Sequence, residues 1–242
     1  MIKVGVSGAA GRMGSLTCEA VEAANDLELA GRYAPGHGAE DPQALAGSDV
    51  IVEFSVPDVV MGNLKSWRDL SRDVVVGTSG FDQPRLAELS AIWREGPPNC
   101  LVVPNFSLGA VLMMWMAATA APYFTAAEVI ELHHDRKADA PSGTGLATAE
   151  RMRPGGHRAV ESRESVPGAR GAEVGGVWLH SVRLPGLLAH QDVLLGNPGE
   201  VLTIRHDTTD RSAFVPGILL AIRSVAKLQP GVSIGLEGLL GL

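Results

Sequence analysis

Two cysteines stand in 242 residues, Cys18 and Cys100, far apart and without a CxxC spacing. That excludes a disulfide framework and a thiolate metal centre, and it fits reduced thiols in a cytoplasmic protein. Basic side chains are in the minority, 20 against 27 acidic, for a formal charge of -7. A nucleic-acid footprint needs a basic stripe that neutralises many phosphates, so that partner class drops out. Long apolar runs are also missing. The uncharged stretch from Ser107 to Ala127 contains GAVLMMWMAATAA, about 13 residues before Pro122, where a membrane span needs roughly 20. The stretch reads as a buried helix, with no membrane partner expected. MIKVGV opens the chain as a strand, without the charged and apolar regions of a signal peptide.

What is present is apolar mass. Hydrophobic residues make up 45% and the mean hydropathy is +0.14, enough to offset the entropy of ordering a compact protein. At this length one large core or two modest ones are possible. Up to about residue 105, short apolar runs alternate with amphipathic ones, the pattern of a parallel sheet covered by helices. Strands are expected at IKVGV (2 to 6), LELAG (27 to 31), DVIVEF (49 to 54), DVVVG (73 to 77) and CLVVP (100 to 104). Met13, Leu16, Thr17, Ala20, Val21 and Ala24 share one helical face, a second helix spans Val59 to Leu70, and a third starts at the capping Asp82 and runs through Trp93. Beyond 105 the rhythm changes: a helix at 108 to 121, EVIELHH at 128 to 134, a short helix at 145 to 152, and a Gly, Pro and Arg-rich loop at 153 to 176. Strand-like runs follow at 177 to 184, 190 to 196 and 200 to 206, expected to pair mostly antiparallel. A helix over 212 to 228, with Pro216 in its first turn or at a kink, returns the chain to the first domain, ahead of VSIGLEGLL. No internal repeat appears.

GAAGRMG, residues 8 to 14, sits between the first strand and the first helix. Glycines at 8, 11 and 14 permit a tight turn, close approach of backbone to a pyrophosphate, and close helix packing, with the phosphate at the helix N-terminus. A flexible turn is the plain alternative, since the spacing is G-x-x-G-x-x-G. The reading gives a Rossmann-type, doubly wound α/β domain of residues 1 to 105 and 213 to 242, into which an α+β domain of mixed sheet, residues 106 to 212, is inserted. At the end of the second strand, AGRYAPGHG places Arg32 where NAD-binding proteins carry a carboxylate. A guanidinium suits a 2′-phosphate, with Arg12 as a second positive group, so NADP(H) is favoured. Arg32 as a surface residue, with Glu40 or Asp41 reaching the ribose of NAD(H), is the alternative. GTSGF (77 to 81) and VPNFSLG (103 to 109) end two further strands, where ligands of such sheets collect.

ELHHDRKADAPSGTG, residues 131 to 145, gathers His133, His134, Arg136 and Lys137 on an acidic chain and follows them with a helix start capped by Ser142 or Thr144. The amides of Gly143 and Thr144 can receive an anion at that helix start. Regular strand geometry sends His133 and His134 to opposite faces. A histidine can deliver a proton near neutral pH, and Lys137 can hold a carboxylate. No third ligand stands at a metal-binding spacing.

Together GAAGRMG, GTSGF, PNFSLGA and the HHDRKADAPSGT string resemble the 4-hydroxy-tetrahydrodipicolinate reductase (dihydrodipicolinate reductase) family of lysine and diaminopimelate synthesis, and the likeness runs through HSVRLPGLLAHQDVLLG and EVLTIRHDTTDRSAFVPG over essentially the full chain. The resemblance implies reduction of a cyclic, unsaturated dicarboxylate by NADH or NADPH in a homotetramer built through the second domain. It implies His133 as proton donor, Lys137 as assistant and substrate ligand, and His134, Gly143 and Thr144 as carboxylate ligands. Its cofactor contacts fall on Gly8, Ala9, Ala10, Gly11, Arg12 and Met13, on Gly77, Thr78 and Ser79, and on Val103, Pro104, Asn105 and Phe106. Ser79 stands where many members carry Thr, Arg32 where some carry an acidic residue, and the loop around 153 to 165 is short. Another two-domain dehydrogenase, of aspartate or homoserine type, would leave HHDRK and DAPSGT without a task. A non-catalytic, dinucleotide-responsive regulator would be expected to lose His133 or Lys137.

Overall fold

The computed structural model describes residues 1–94, 97–153, 159–160 and 162–242. The chain forms two compact units, residues 1–108 with 214–242, and residues 109–213. Part of the loop expected at 153 to 165, positions 154–158 and 161, lies outside the described residues.

The first unit is a six-stranded parallel sheet in the order β11-β5-β4-β3-β1-β2. Its strands are β1 (Ile2–Ser7), β2 (Leu27–Tyr33), β3 (Val50–Glu53), β4 (Asp73–Val76), β5 (Cys100–Val102) and β11 (Val232–Ile234). Helices α1 (Arg12–Ala23), α2 (Val60–Asp69) and α3 (Gln83–Trp93) connect them, while a single 3-10 turn, Pro42–Leu45, joins β2 to β3. Asp82 caps α3 by accepting from the Arg85 amide at 2.9 Å. The chain leaves β1 for opposite sides of the sheet, to β2 and to β3, so the strand order reverses beside β1. That is where ligands of such sheets bind.

Val and Ile fill the central strands, and the largest buried side chains, Trp67 and Trp93, sit against them on α2 and α3. Each indole N–H is satisfied, Trp67 Nε1 by Glu53 Oε2 at 2.8 Å and Trp93 Nε1 by the Pro98 carbonyl at 2.6 Å. A buried indole without such a partner would lose a donor's hydration for nothing in return. The expected 212 to 228 helix is shorter than its periodicity implies. α6 spans Val215–Ser224 with Pro216 in its first turn, and 3-10 turns at Arg211–Phe214 and Val225–Lys227 flank it. Asn99 fastens this returning segment, donating from Nδ2 to the Val225 and Leu228 carbonyls at 3.0 and 3.3 Å. The short α7 (Glu237–Leu240) follows β11.

The second unit is entered through α4 (Leu108–Ala120), the apolar helix read from GAVLMMWMAATAA. Its sheet runs β10-β9-β6-β8-β7, with β6 (Ala126–His133), β7 (Ala172–Val174), β8 (Val177–Arg183), β9 (Ala189–Asn197) and β10 (Glu200–Thr208). The pairing is mixed: β6 runs antiparallel to β9 and parallel to β8. A short strand, β7, hides in the stretch expected to be loop, where its three residues carry too little periodicity to be seen. Helix α5 (Gly143–Met152) begins two residues earlier than expected and buries Gly145, Thr148, Ala149 and Met152. No helix among the described residues is long and apolar enough to cross a membrane.

Candidate active site

In the first unit, the turn after β1 is built from close backbone contacts. Gly8 has φ +76°, a left-handed conformation that favours glycine. A Cβ on Gly14 would lie 2.1 Å from the Gly8 carbonyl oxygen, so the first turn of α1 rests directly on the loop. Gly8 and Ala9 donate to the Tyr33 carbonyl at the end of β2, and Gly11 donates back to Gly8. The amides of Arg12, Met13 and Gly14 have no acceptor among the described residues, and Gly11 at the N-cap has no side chain to supply one. This leaves a helix N-terminus whose N–H groups and dipole favour an anion.

Beside it lies a cavity of about 460 Å³, lined by Ser7 at the end of β1, by Gly8, Ala10 and Gly11 of the turn, by Tyr33 at the end of β2 with Ala34, Pro35 and His37 after it, and by Phe54 and Ser55 after β3. The Ser7 hydroxyl is buried on its wall without a partner among the described residues. Open amides, an unpartnered hydroxyl and a cavity of this size fit the pyrophosphate and adenosine portion of a dinucleotide. A second cavity of about 200 Å³ is lined by Thr78, Ser79, Val103 and Pro104. Gly77 closes on the Phe54 and Phe106 rings, whose centroids are 5.5 Å apart; a Cβ there would meet Phe54 Cε1 at 2.1 Å. Asn105 accepts from the Ser107 amide at 2.8 Å and shapes the turn into α4.

Ala9, Arg12, Met13 and Arg32 do not line the first cavity. Arg32 is half-exposed and donates to Glu22 of α1 at 2.6 Å. The two acidic alternatives are engaged within their own loop: Glu40 accepts from the amides of Gly36 and Gly38, and Asp41 from that of Gln43.

In the second unit, β6 ends at His133, and the face it shares with Glu131 is covered by α5. Residues two apart on a strand point the same way, so the ELH spacing sets Glu131 beneath His133. The Glu131 carboxylate is wholly buried and accepts from His133 Nδ1. It also accepts from Arg183 of β8, Nη1 to Oε2 at 3.0 Å and Nη2 to Oε1 at 2.9 Å, and from the Ser142 amide at 3.2 Å. Burial alone would raise its pKa, but the hydrogen bonds from His133, Arg183 and Ser181 outweigh it and bring the group down to about 2. Arg183 Nη2 also donates to the Asp139 carbonyl at 2.6 Å, and Asp139 pairs with Lys137 Nζ at 2.8 Å.

Of the two candidate caps, Ser142 caps α5: its hydroxyl accepts from the Gly145 amide at 3.0 Å, and the Gly143 amide has no acceptor among the described residues. His134 lies just past the strand end, its amide donating to the Leu188 carbonyl, and its Nδ1 is buried without a partner among the described residues. The structure therefore brings His133, Lys137 and the start of α5 together around two residues to which the motif alone gave no task, Glu131 and Arg183. Glu131 had a local signal in the i, i+2 spacing; Arg183, far along the chain, had none. No group of three or more His, Cys, Asp or Glu among the described residues could hold a metal ion.

Two family models together span nearly the whole chain. Residues 2–106 match the N-terminal model of dihydrodipicolinate reductase and residues 109–240 the C-terminal one. The chain belongs to the dihydrodipicolinate reductase family. Among curated relatives, the 4-hydroxy-tetrahydrodipicolinate reductase of Thermobifida fusca (strain YX) is 51% identical over 249 residues, covering 100% of both chains. That of Nocardia farcinica (strain IFM 10152) is 49% identical, over 100% of this chain and 99% of the relative. Among solved structures, a dipicolinate-bound dihydrodipicolinate reductase from Paenisporosarcina sp. TG-14 superposes with a TM-score of 0.86 at 33% identity, over 98% of this chain and 99% of that one. Scyllo-inositol dehydrogenase from Lactobacillus casei, at 13% identity and a TM-score of 0.63, shares the fold alone. As a member of the dihydrodipicolinate reductase family, the chain is an NAD(P)H-dependent oxidoreductase of lysine and diaminopimelate biosynthesis.

Proposed function

We propose that His133 is the proton donor in the reduction of 4-hydroxy-tetrahydrodipicolinate that the chain, as a member of the family, carries out. In this reading Lys137 assists and holds one carboxylate, while His134 and the backbone of Gly143 and Thr144 hold the carboxylates at the start of α5. NAD(P)H supplies the hydride, which adds to a ring carbon conjugated with the imine after loss of water. His133 delivers the proton that neutralises the resulting enamine-like species. The carrying observation is the Arg183 fork, which grips Glu131 under His133 with one edge and reaches the Asp139 carbonyl beside Lys137. That single side chain links the carboxylate beneath the proposed acid to the loop that carries the proposed cation, and this linkage supports the reading.

For the cofactor we favour NADP(H) over NAD(H). The Arg32–Glu22 pair is exposed, and such pairs contribute only about 0–1 kcal/mol, so a dianionic 2′-phosphate displaces Glu22 readily. Gly8 to Met13, Gly77 to Ser79 and Val103 to Phe106 serve as cofactor contacts. A homotetramer built through the second sheet is the proposed assembly, supported by exposed Val201 and Leu202 on the edge strand β10. The cytoplasm is the proposed location.

The test is turnover. Purified protein is given substrate freshly formed from pyruvate and aspartate semialdehyde, and NADPH and NADH absorbance are followed separately. Oxidation is expected; none above background with either cofactor overturns the reading. His133→Gln should lower turnover by roughly 10² to 10⁴ while leaving cofactor affinity similar, and full turnover in that variant refutes the proton-donor role.

A further inference from the structure

Neither Glu131 nor Arg183 needs to touch substrate or cofactor in the reading above. A buried Glu–Arg pair that serves folding alone is a common feature and is often replaceable by apolar side chains. This pair does more than neutralise itself. At least two donors reach each Glu131 oxygen: Oε2 accepts from His133 Nδ1 and Arg183 Nη1, and Oε1 from Arg183 Nη2 and the Ser142 amide. Helix α5 packs directly on the stem, since a Cβ on Gly145 would stand 3.3 Å from Glu131 Cγ. Charge balance requires Arg183; it does not require the histidine ring or the helix-cap amide.

We propose that Glu131 is a positioning residue for the reduction: it holds the His133 ring with a proton fixed on Nδ1, leaving Nε2 as the nitrogen that gives up and regains the transferred proton, and it anchors that ring to the N-terminus of α5. The inference rests on His133 being the proton donor. With Nε2 protonated the ring is a cation facing a buried carboxylate. When the Nε2 proton passes to the substrate the ring becomes the neutral Nδ1–H tautomer, and its Nε2 lone pair takes a proton back from solvent. The Nδ1–H bond to Glu131 persists through both states, so the ring does not turn over between cycles. A carboxylate that orients a catalytic imidazole in this way controls its tautomer, and its neutral isostere favours the wrong one.

Glu131→Gln tests the assignment, because the amide keeps the shape and one acceptor but presents an N–H₂ group. The expected result is a fall in kcat of about 10- to 10³-fold with KM for the dicarboxylate changed by less than about threefold and NADPH affinity unchanged. Nitrogen-15 NMR of histidine-labelled protein should show the Nδ1–H tautomer of His133 in the parent and its loss in the variant, a change that a purely structural pair would not cause. If Glu131→Gln does not fold, Glu131→Asp keeps the charge for Arg183 but is a methylene too short to hold His133 as well, and the same fall in kcat is expected. Retention of kcat within about twofold by whichever variant folds, or an unchanged His133 tautomer in Glu131→Gln, overturns the inference. Full turnover in His133→Gln instead removes the proton-donor reading itself, so the two failures are separable.

Discussion

Gly14→Ala examines the glycine turn with one methyl group. The added Cβ would meet three backbone atoms, the Gly8 oxygen at 2.1 Å, the Gly8 carbon at 2.7 Å and the Ala9 Cα at 2.8 Å, where ordinary contact begins near 3.4 Å. Backbone cannot swing aside as a flexible side chain can, so α1 and the loop must separate. Overpacking of this kind costs about 1–3 kcal/mol, which for a domain of this size lowers Tm by roughly 3–10 °C. The same separation moves the open amides of Arg12 and Met13 away from the phosphate they are proposed to hold, and we expect NADPH affinity to fall about tenfold or more. Thermal unfolding with and without cofactor distinguishes the two effects. NADPH at a hundred times the parent Kd should stabilise the parent by about 2.7 kcal/mol, and a tenfold loss of affinity removes about 1.3 kcal/mol of that. A variant that melts within about 1 °C of the parent and binds NADPH within about twofold would show that helix and loop do not rest on each other as described.

Arg32→Asp should weaken NADPH by about 10- to 100-fold in Kd and NADH far less, measured by fluorescence titration; equal effects would make Arg32 a bystander. Gly62→Ala offers a contrast to Gly14, because Gly62 lies exposed inside α2 and its Cβ would meet nothing within 4 Å. It should raise stability by about 0.5–1 kcal/mol in urea denaturation, and a loss would contradict the open surface. Glu131 gives the acid response a sign. Its folded pKa, about 2, lies below the usual 4.5, so its contribution is present at neutral pH and is lost as pH falls from about 4.5 towards 2. Circular dichroism should show acid unfolding in that window, and Glu131→Gln should flatten it; identical acid profiles would count against the ionised, hydrogen-bonded carboxylate.

Much of the first unit was legible because local chemistry sets it: a two-residue interval between an apolar strand and GAAGRMG, Asp82 before Pro84, and Val-rich runs that only a sheet covered on both faces can bury. The second unit was less so. Parallel pairing of β6 with β8 depends on partners some fifty residues away, which no window of sequence displays. Two serviceable caps within three residues, Ser142 and Thr144, are equivalent by residue type, and only the folded backbone sets Ser142 Oγ against the Gly145 amide. HHDRK stands out by its charge on an acidic chain, whereas Glu131 is by sequence one acidic residue among 27. Its importance comes from burial and from Arg183, and both are properties of the folded chain.

The first sheet takes its edge strand, β11, from residues 232–234, after the whole second unit has been made. During synthesis the ribosome therefore releases β1 to β5 with one flank unfinished, and β5 waits with bare N–H and C=O groups on that flank while about 130 further residues are translated, at roughly 5–20 residues per second. An uncovered strand edge is a template for pairing with other chains. Nascent molecules are thus exposed to mispairing for several seconds in every round of translation, and slow codons in the insert would lengthen that interval without altering a single amino acid.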